Sequence, residues 1–119
     1  MKYMLLIYMS ENAMSEAERQ RCYEDSTKLA HNLAATGKYI SASPLHPVAT
    51  ARSVRVREGK RFVTDGPFAE TREHLGGFYL VDAKDLDDAI DIASRIPPVT
   101  RGTVEIRPVL EIPNLPPSR

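Results

Sequence analysis

Two short stretches constrain this chain more than any others, KYMLLIYM at residues 2–9 and GFYLVD at residues 77–82. Neither alternates between apolar and polar residues. In the first, Tyr3, Leu5, Ile7 and Met9 share one face of an extended strand, while Met4, Leu6 and Tyr8 share the other. A strand apolar on both faces belongs inside a sheet with both faces withdrawn from water. The fold must therefore give its central strands two covers.

The segments between these strands supply one cover. Ser15 and Glu18 have the spacing of a capping box, which starts a helix. Its periodicity gathers Cys22, Ser26, Leu29, Ala30 and Leu33 on one stripe, opposite Arg21, Glu24, Lys28 and His31. His31 is accordingly expected in solvent, Cys22 is expected to be inert core, and Gly37 is the left-handed stop. A second helix opens at the cap Asp85, with Asp87 and Asp88 in its first turn. It carries Leu86, Ala89, Ile90, Ala93 and Ile96 at helical spacing and stops at Pro97-Pro98.

Three more strands complete the reading. Residues 39–43 form one, followed by a loop in which Pro44 and Pro47 stiffen the surroundings of His46. Residues 53–57 and 61–64 form a hairpin around Glu58-Gly59. A three-residue loop there puts Val54, Val56 and Phe62 on one face, and burial favours it over a two-residue loop that sets Phe62 beside the arginines. Residues 104–110 close the domain, and Pro108 marks an edge strand or a bend. The expected domain spans residues 1–112, with a proline-rich extended tail at 113–119.

Strand, helix, strand, hairpin, strand, helix, strand is the order of an α+β, ferredoxin-like split βαβ plan with an added β-hairpin. Two helices cover one face of such a sheet. The other face asks for a second copy, so a homodimer with sheet facing sheet, a dimeric α/β barrel, is expected.

Charge and composition narrow the partners. The 119-residue chain has a formal net charge of +0, so its overall field recruits neither nucleic acid nor an anionic membrane. The basic residues Arg52, Arg55, Arg57, Lys60 and Arg61 lack interleaved aromatics and read as protection of an exposed edge. One cysteine forms no internal disulfide, and the apolar start is too short for a signal peptide or membrane span. The expected location is the cytoplasm.

Chemistry-bearing residues concentrate in VTDGPFAETREHLGGFY, residues 63–79. Asp65 begins a turn with Gly66 and Pro67. Its carboxylate either accepts backbone amides of that turn or acts as a general base or anchor for a ligand hydroxyl. In the second reading Glu70 or His74 is the proton partner, Pro67 fixes the loop and Phe68 walls a cleft that takes an unidentified small molecule. Glu105 and Arg107 share a strand face that points into the inter-sheet cleft, as a salt bridge or an anion clamp, and Tyr8 offers a hydroxyl there. Gly76-Gly77 permits close backbone approach. No ligand spacing matches a closed metal site, and no cofactor is expected.

MKYMLLIYM at the start, VTDGPFAETREHLGGFYLVD in the middle, and DLDDAIDIASRIP and VEIRPV near the end resemble the YCII-related family, specifically its DGPF-domain branch. The resemblance implies a ferredoxin-like fold, a dimeric α/β barrel and a bacterial source, in a group largely of unassigned function. Genes for such proteins often neighbour extracytoplasmic-function sigma factors, which implies a role near transcriptional regulation. The wider group includes a dehydrochlorinase of chlorinated hydroquinones with a proposed histidine–aspartate pair. The level of that histidine falls near Ser26 here, with His31 more than a turn away, so the pair is not carried over. Acid–base chemistry of lyase, isomerase or hydrolase type and non-catalytic ligand sensing are both open on this reading.

Overall fold

The structure, a computed structural model, describes residues 1–117. Six strands and two helices follow one another as β1 (Lys2–Met9), α1 (Glu16–Ala35), β2 (Tyr39–Pro44), β3 (Arg52–Arg57), β4 (Lys60–Asp65), β5 (His74–Asp82), α2 (Leu86–Ser94) and β6 (Thr103–Pro108). The two apolar runs lie at the centre of a four-stranded antiparallel sheet of order β2-β5-β1-β6, open at both edges. β6 holds Pro108 on an edge, where its missing amide costs no ladder bond.

Local signals set the helix ends as the sequence indicates. The Ser15 hydroxyl accepts from the Glu18 amide, and the Glu18 carboxylate accepts from the Ser15 amide. These bonds hold the Glu18 carboxyl below its ordinary range, helped by Arg101. Gly37 takes φ +74°, and the Lys38 amide closes back on the Leu33 carbonyl. Asp85 caps α2 by accepting from the Asp88 amide, and Pro97 and Pro98 carry the chain into a 3-10 turn, Pro97–Thr100.

Both helices lie on one face of the sheet. Tyr3, Leu5, Ile7, Tyr79 and Val81 point to that side and are buried against Leu29 and Leu33 of α1 and Ala89, Ile92 and Ala93 of α2, with Ile96 just beyond. Val104, Ile106 and Ala42 extend this core to the sheet edges. The α2 stripe differs from the sequence reading at two positions. Leu86 and Ile90 are exposed, and Ile92 is fully buried instead. The short helix meets the sheet through a narrower arc, rotated toward Ile92.

On the opposite face, Met4, Leu6, Tyr8, Phe78 and Leu80 are only half-buried, and no element of the described chain covers them. Glu105 and Arg107 lie on the same face, in register with Leu6 and Met4.

The hairpin β3–β4 is a separate two-stranded sheet that packs on itself. Its loop has two residues and not the expected three, because Arg57 pairs with Lys60 and Arg55 with Phe62. Glu58 and Gly59 both take positive φ, +52° and +75°, the geometry of a turn whose twist matches that of its strands. Burial selects no register here, since Val54, Val56, Phe62 and Val63 are all at least half exposed. With that preference absent, turn geometry decides. The projecting arm also explains a radius of gyration of 16.1 Å, against roughly 13–14 Å for a compact chain of this length. The tail expected over residues 113–119 is described to residue 117, and its last two positions lie outside the described residues.

One ion pair ties α2 to the far edge of the sheet. Lys38 Nζ donates to Asp88 Oδ1 at 2.8 Å, and the Lys84 amide donates to Asp88 Oδ2 at 2.9 Å. Together they hold the Asp88 carboxyl below its ordinary value of 3.8. A carboxyl lowered by folding stabilises the folded state above the unfolded value, and that contribution fades as pH falls through the folded value. Asp88→Asn is therefore expected to lower the urea midpoint at neutral pH. The gap from the parent chain narrows as the pH falls through the lowered folded-state value, where the carboxylate itself is being lost.

Candidate functional site

A cavity of about 570 Å3 lies between α1 and the half of the sheet formed by β2, β5 and the end of β1. Its origin is a shortage of side-chain volume. Leu29 and Leu33 hold α1 against the core, but toward β2 the helix presents Ser26, Thr27, Ala30 and Ala34. Below them the sheet offers Ala42 and Gly77. A Cβ added at Gly77 would stand 3.0 Å from the Ser43 carbonyl oxygen, so β2 and β5 approach closely there because this position is glycine. Small residues on both layers leave the gap unfilled.

The wall toward residues 44–47 is tied down at two points. The Leu45 amide donates to the Gly76 carbonyl at 2.8 Å, and the Val48 amide donates to Glu11 Oε2 at 2.9 Å. Between these ties, Pro44 and Pro47 restrict the backbone on either side of His46, which borders the cavity.

A β-bulge brings a second histidine to the same cavity. Ile7 pairs with Gly77, but Tyr8 pairs with Leu75, so Gly76 is the extra residue in β5. Beyond it, the alternation of faces is shifted by one. His74 comes opposite Met9, in step with Ile7 and Leu5 on the helix-covered side, and both His74 and Met9 line the cavity. Without the bulge His74 would share the face of Phe78. Its Nδ1 is buried and has no hydrogen-bond partner among the described residues.

Arg19 enters from the start of α1. Its Nη2 donates to the Glu11 carbonyl at 3.0 Å, while its Nε is buried without an acceptor. Deeper in, the Tyr79 hydroxyl donates to the Ser26 carbonyl at 2.7 Å, and burial pushes both the Tyr79 phenol and the Cys22 thiol above their ordinary values. His31 is exposed, as its side of the helix implies, and stands at the cavity margin.

The residues singled out from the sequence are distributed over three places. His74 lines the cavity. Tyr8, Glu105 and Arg107 lie on the uncovered sheet face, where Glu105 and Arg107 make no ion pair with each other among the described residues. Asp65, Gly66, Pro67, Phe68 and Glu70 belong to the hairpin end and the loop after it, and none of them lines the cavity.

Within that loop, Arg52 Nε meets Asp65 Oδ1 at 3.1 Å, so the carboxylate pairs across the hairpin. Gly66 takes φ +89°, and its amide donates to the Ala51 carbonyl. Phe68 is 80% exposed. Glu73 accepts from the Thr103 hydroxyl at 2.8 Å, joining the loop to the start of β6. The described residues hold no group of three or more His, Cys, Asp or Glu placed to bind a metal ion, and no helix long and apolar enough to cross a membrane.

Arg19, Ser26 and Tyr79 were not marked as site residues by the sequence. Each reads as an ordinary part of an amphipathic element. A run of small residues at 26, 27, 30 and 34 facing Ala42 and Gly77 was the available signal, but it needs the strand pairing to be recognised.

The sequence model of the YCII-related domain matches residues 1–113. An uncharacterized protein of Rhizobium meliloti (strain 1021) is 38% identical over 115 residues, covering 92% of this chain and 92% of the relative.

Because burial raises the Cys22 thiol above its ordinary 9.0, the reactive thiolate is suppressed. Iodoacetamide at about pH 8 is expected to alkylate Cys22 more slowly than it alkylates free glutathione. The difference disappears in denaturing urea, as followed by intact-mass spectrometry.

Proposed function

The chain belongs to the YCII-related family, and we propose that it binds a small molecule in the cavity between α1 and the sheet. The observation that carries this reading is the cavity itself. Its volume of about 570 Å3 falls within the roughly 300–1,000 Å3 of small-molecule sites. Ile7, Ala30, Ala42 and Tyr79 give it an apolar interior, and Arg19, His46 and His74 give it polar groups at the margin. An apolar chamber with few polar groups is how ligand sites combine affinity with orientation.

Binding without turnover is the reading that the placement of groups favours. His74 is suited to proton transfer, but Asp65 and Glu70, its expected partners, do not share its cavity in a single chain. The carboxylate that does share it, Glu11, is engaged by the Val48 amide. A ligand-sensing role accords with the sigma-factor neighbourhood implied by the DGPF resemblance. Acid–base chemistry through Asp65, Glu70 and His74 requires a second copy to bring the Asp65 turn, with Gly66, Pro67 and Phe68, to the site.

That second copy is part of the proposal. The strand order β2-β5-β1-β6 with both helices on one face supports the ferredoxin-like plan. Met4, Leu6, Tyr8, Phe78 and Leu80 form an uncovered apolar centre, and an arm carrying Val54, Val56 and Val63 projects from the same chain. Two-fold pairing of sheet faces removes this surface from water and closes a dimeric α/β barrel, with Tyr8, Glu105 and Arg107 inside.

Titration with the uncharged fluorophore 1-aminoanthracene is expected to saturate at one site per chain. Thr27→Trp, an exposed position on the cavity wall, abolishes that saturable binding while leaving the circular dichroism unchanged. A parent chain with no saturable binding rejects the cavity as a ligand site. Independently, light scattering at low micromolar concentration is expected to give twice the chain mass, and Leu6→Glu to give the single-chain mass. A monomeric parent chain rejects the paired sheets.

A further inference from the structure

We infer that the ligand of this cavity is a carboxylic acid with an apolar, ring-sized body, and that Arg19 is the residue that pairs with its carboxylate. The inference rests on the cavity reading above and gives it a substrate class. A guanidinium carries five N–H donors in a planar fork. Arg19 uses its Nη2 on the Glu11 carbonyl, has a buried Nε without an acceptor, and has no carboxylate within ion-pairing distance among the described residues. Other arginines are differently served. Arg52, Arg95 and Arg101 pair with Asp65, Asp91 and Glu18, while Arg21, Arg55, Arg57, Arg61, Arg72 and Arg107 are exposed to water.

A half-buried cation without a counter-charge among the described residues, beside an apolar chamber, asks for an anion, because burial without a counter-charge is costly. The chamber's own carboxylate, Glu11, does not answer that need. Its Oε2 holds the Val48 amide and so fixes the 44–47 wall. One guanidinium fork matches one planar carboxylate in a two-point contact, and the described cavity offers no ring of amides or second cation of the kind that cradles a phosphate. The ring-sized body follows from the interior, where Ile7, Ala30, Ala42 and Tyr79 leave apolar space and the helix contributes the small side chains of Ser26, Thr27, Ala30 and Ala34.

Isothermal titration calorimetry of the full chain with 2-naphthoate and its uncharged isostere 2-naphthamide tests this. The acid is expected to bind roughly tenfold or more tightly than the amide, the difference that a charge-assisted hydrogen-bonded pair supplies. Arg19→Gln removes the preference and leaves the amide's affinity within about twofold, whereas Arg19→Lys, a point charge without the fork, keeps part of it. Equal binding of acid and amide by the parent chain overturns the inference, as does an undiminished preference in Arg19→Gln. If neither compound binds the parent chain, the inference falls, and saturable 1-aminoanthracene binding or its absence shows whether the cavity reading stands or falls with it, so the two failures are told apart. The comparison of acid with amide on the parent chain decides the matter even where Arg19→Gln fails to fold.

Discussion

Both helices sit on the same side of one antiparallel sheet, and the rest of the structure depends on that asymmetry. On the covered side, Tyr3, Leu5, Ile7, Tyr79 and Val81 meet Leu29, Leu33 and Ile92, and the chain's apolar volume is concentrated where these layers touch. Burial of large side chains is the main favourable contribution to folding, so these contacts fix where α1 can lie. Once α1 is held by Leu29 and Leu33, its other edge must hang over β2 and β5. Small residues, Ser26, Thr27, Ala30 and Ala34 above and Ala42 and Gly77 below, face each other there, and the gap between them becomes the cavity. The uncovered side is the same asymmetry seen from below.

The polar margin of that cavity comes from backbone irregularity more than from regular structure. The extra residue at Gly76 reverses which face His74 occupies, and the same residue's carbonyl anchors Leu45. Glu11 fastens the other end of the 44–47 segment. Two hydrogen bonds and two prolines thus position His46, and one bulge positions His74. Arg19 needs no such device, because it follows directly from the capped start of α1. Devices of this kind hold polar groups beside an apolar chamber without requiring the core itself to become polar.

Much of the fold was legible in the residues, for reasons that can be named. The caps at Ser15 and Asp85, the stop at Gly37 and the double-faced strands all act through neighbours in sequence or through simple burial. The misread hairpin shows where such reasoning ends. Choosing a three-residue loop assumed that Phe62 had a core to enter, yet β3–β4 stands clear of the main sheet and its turn obeys local geometry instead. Leu86 and Ile90 failed similarly, since periodicity marks a stripe but not which arc of it a neighbouring layer can reach.

Sequence alone determined the elements, their order and the family, because these follow from side-chain volume, capping chemistry and apolar spacing along the chain. It also pointed to His74, as a proton partner for the Asp65 turn. Tertiary structure decided which face His74 occupies, that the Asp65 turn stands apart from it, and that Arg19 borders a chamber. Those outcomes depend on strand register and on how closely two layers approach. Register and approach are properties of pairs of segments distant along the chain, and neither is written in any one of them.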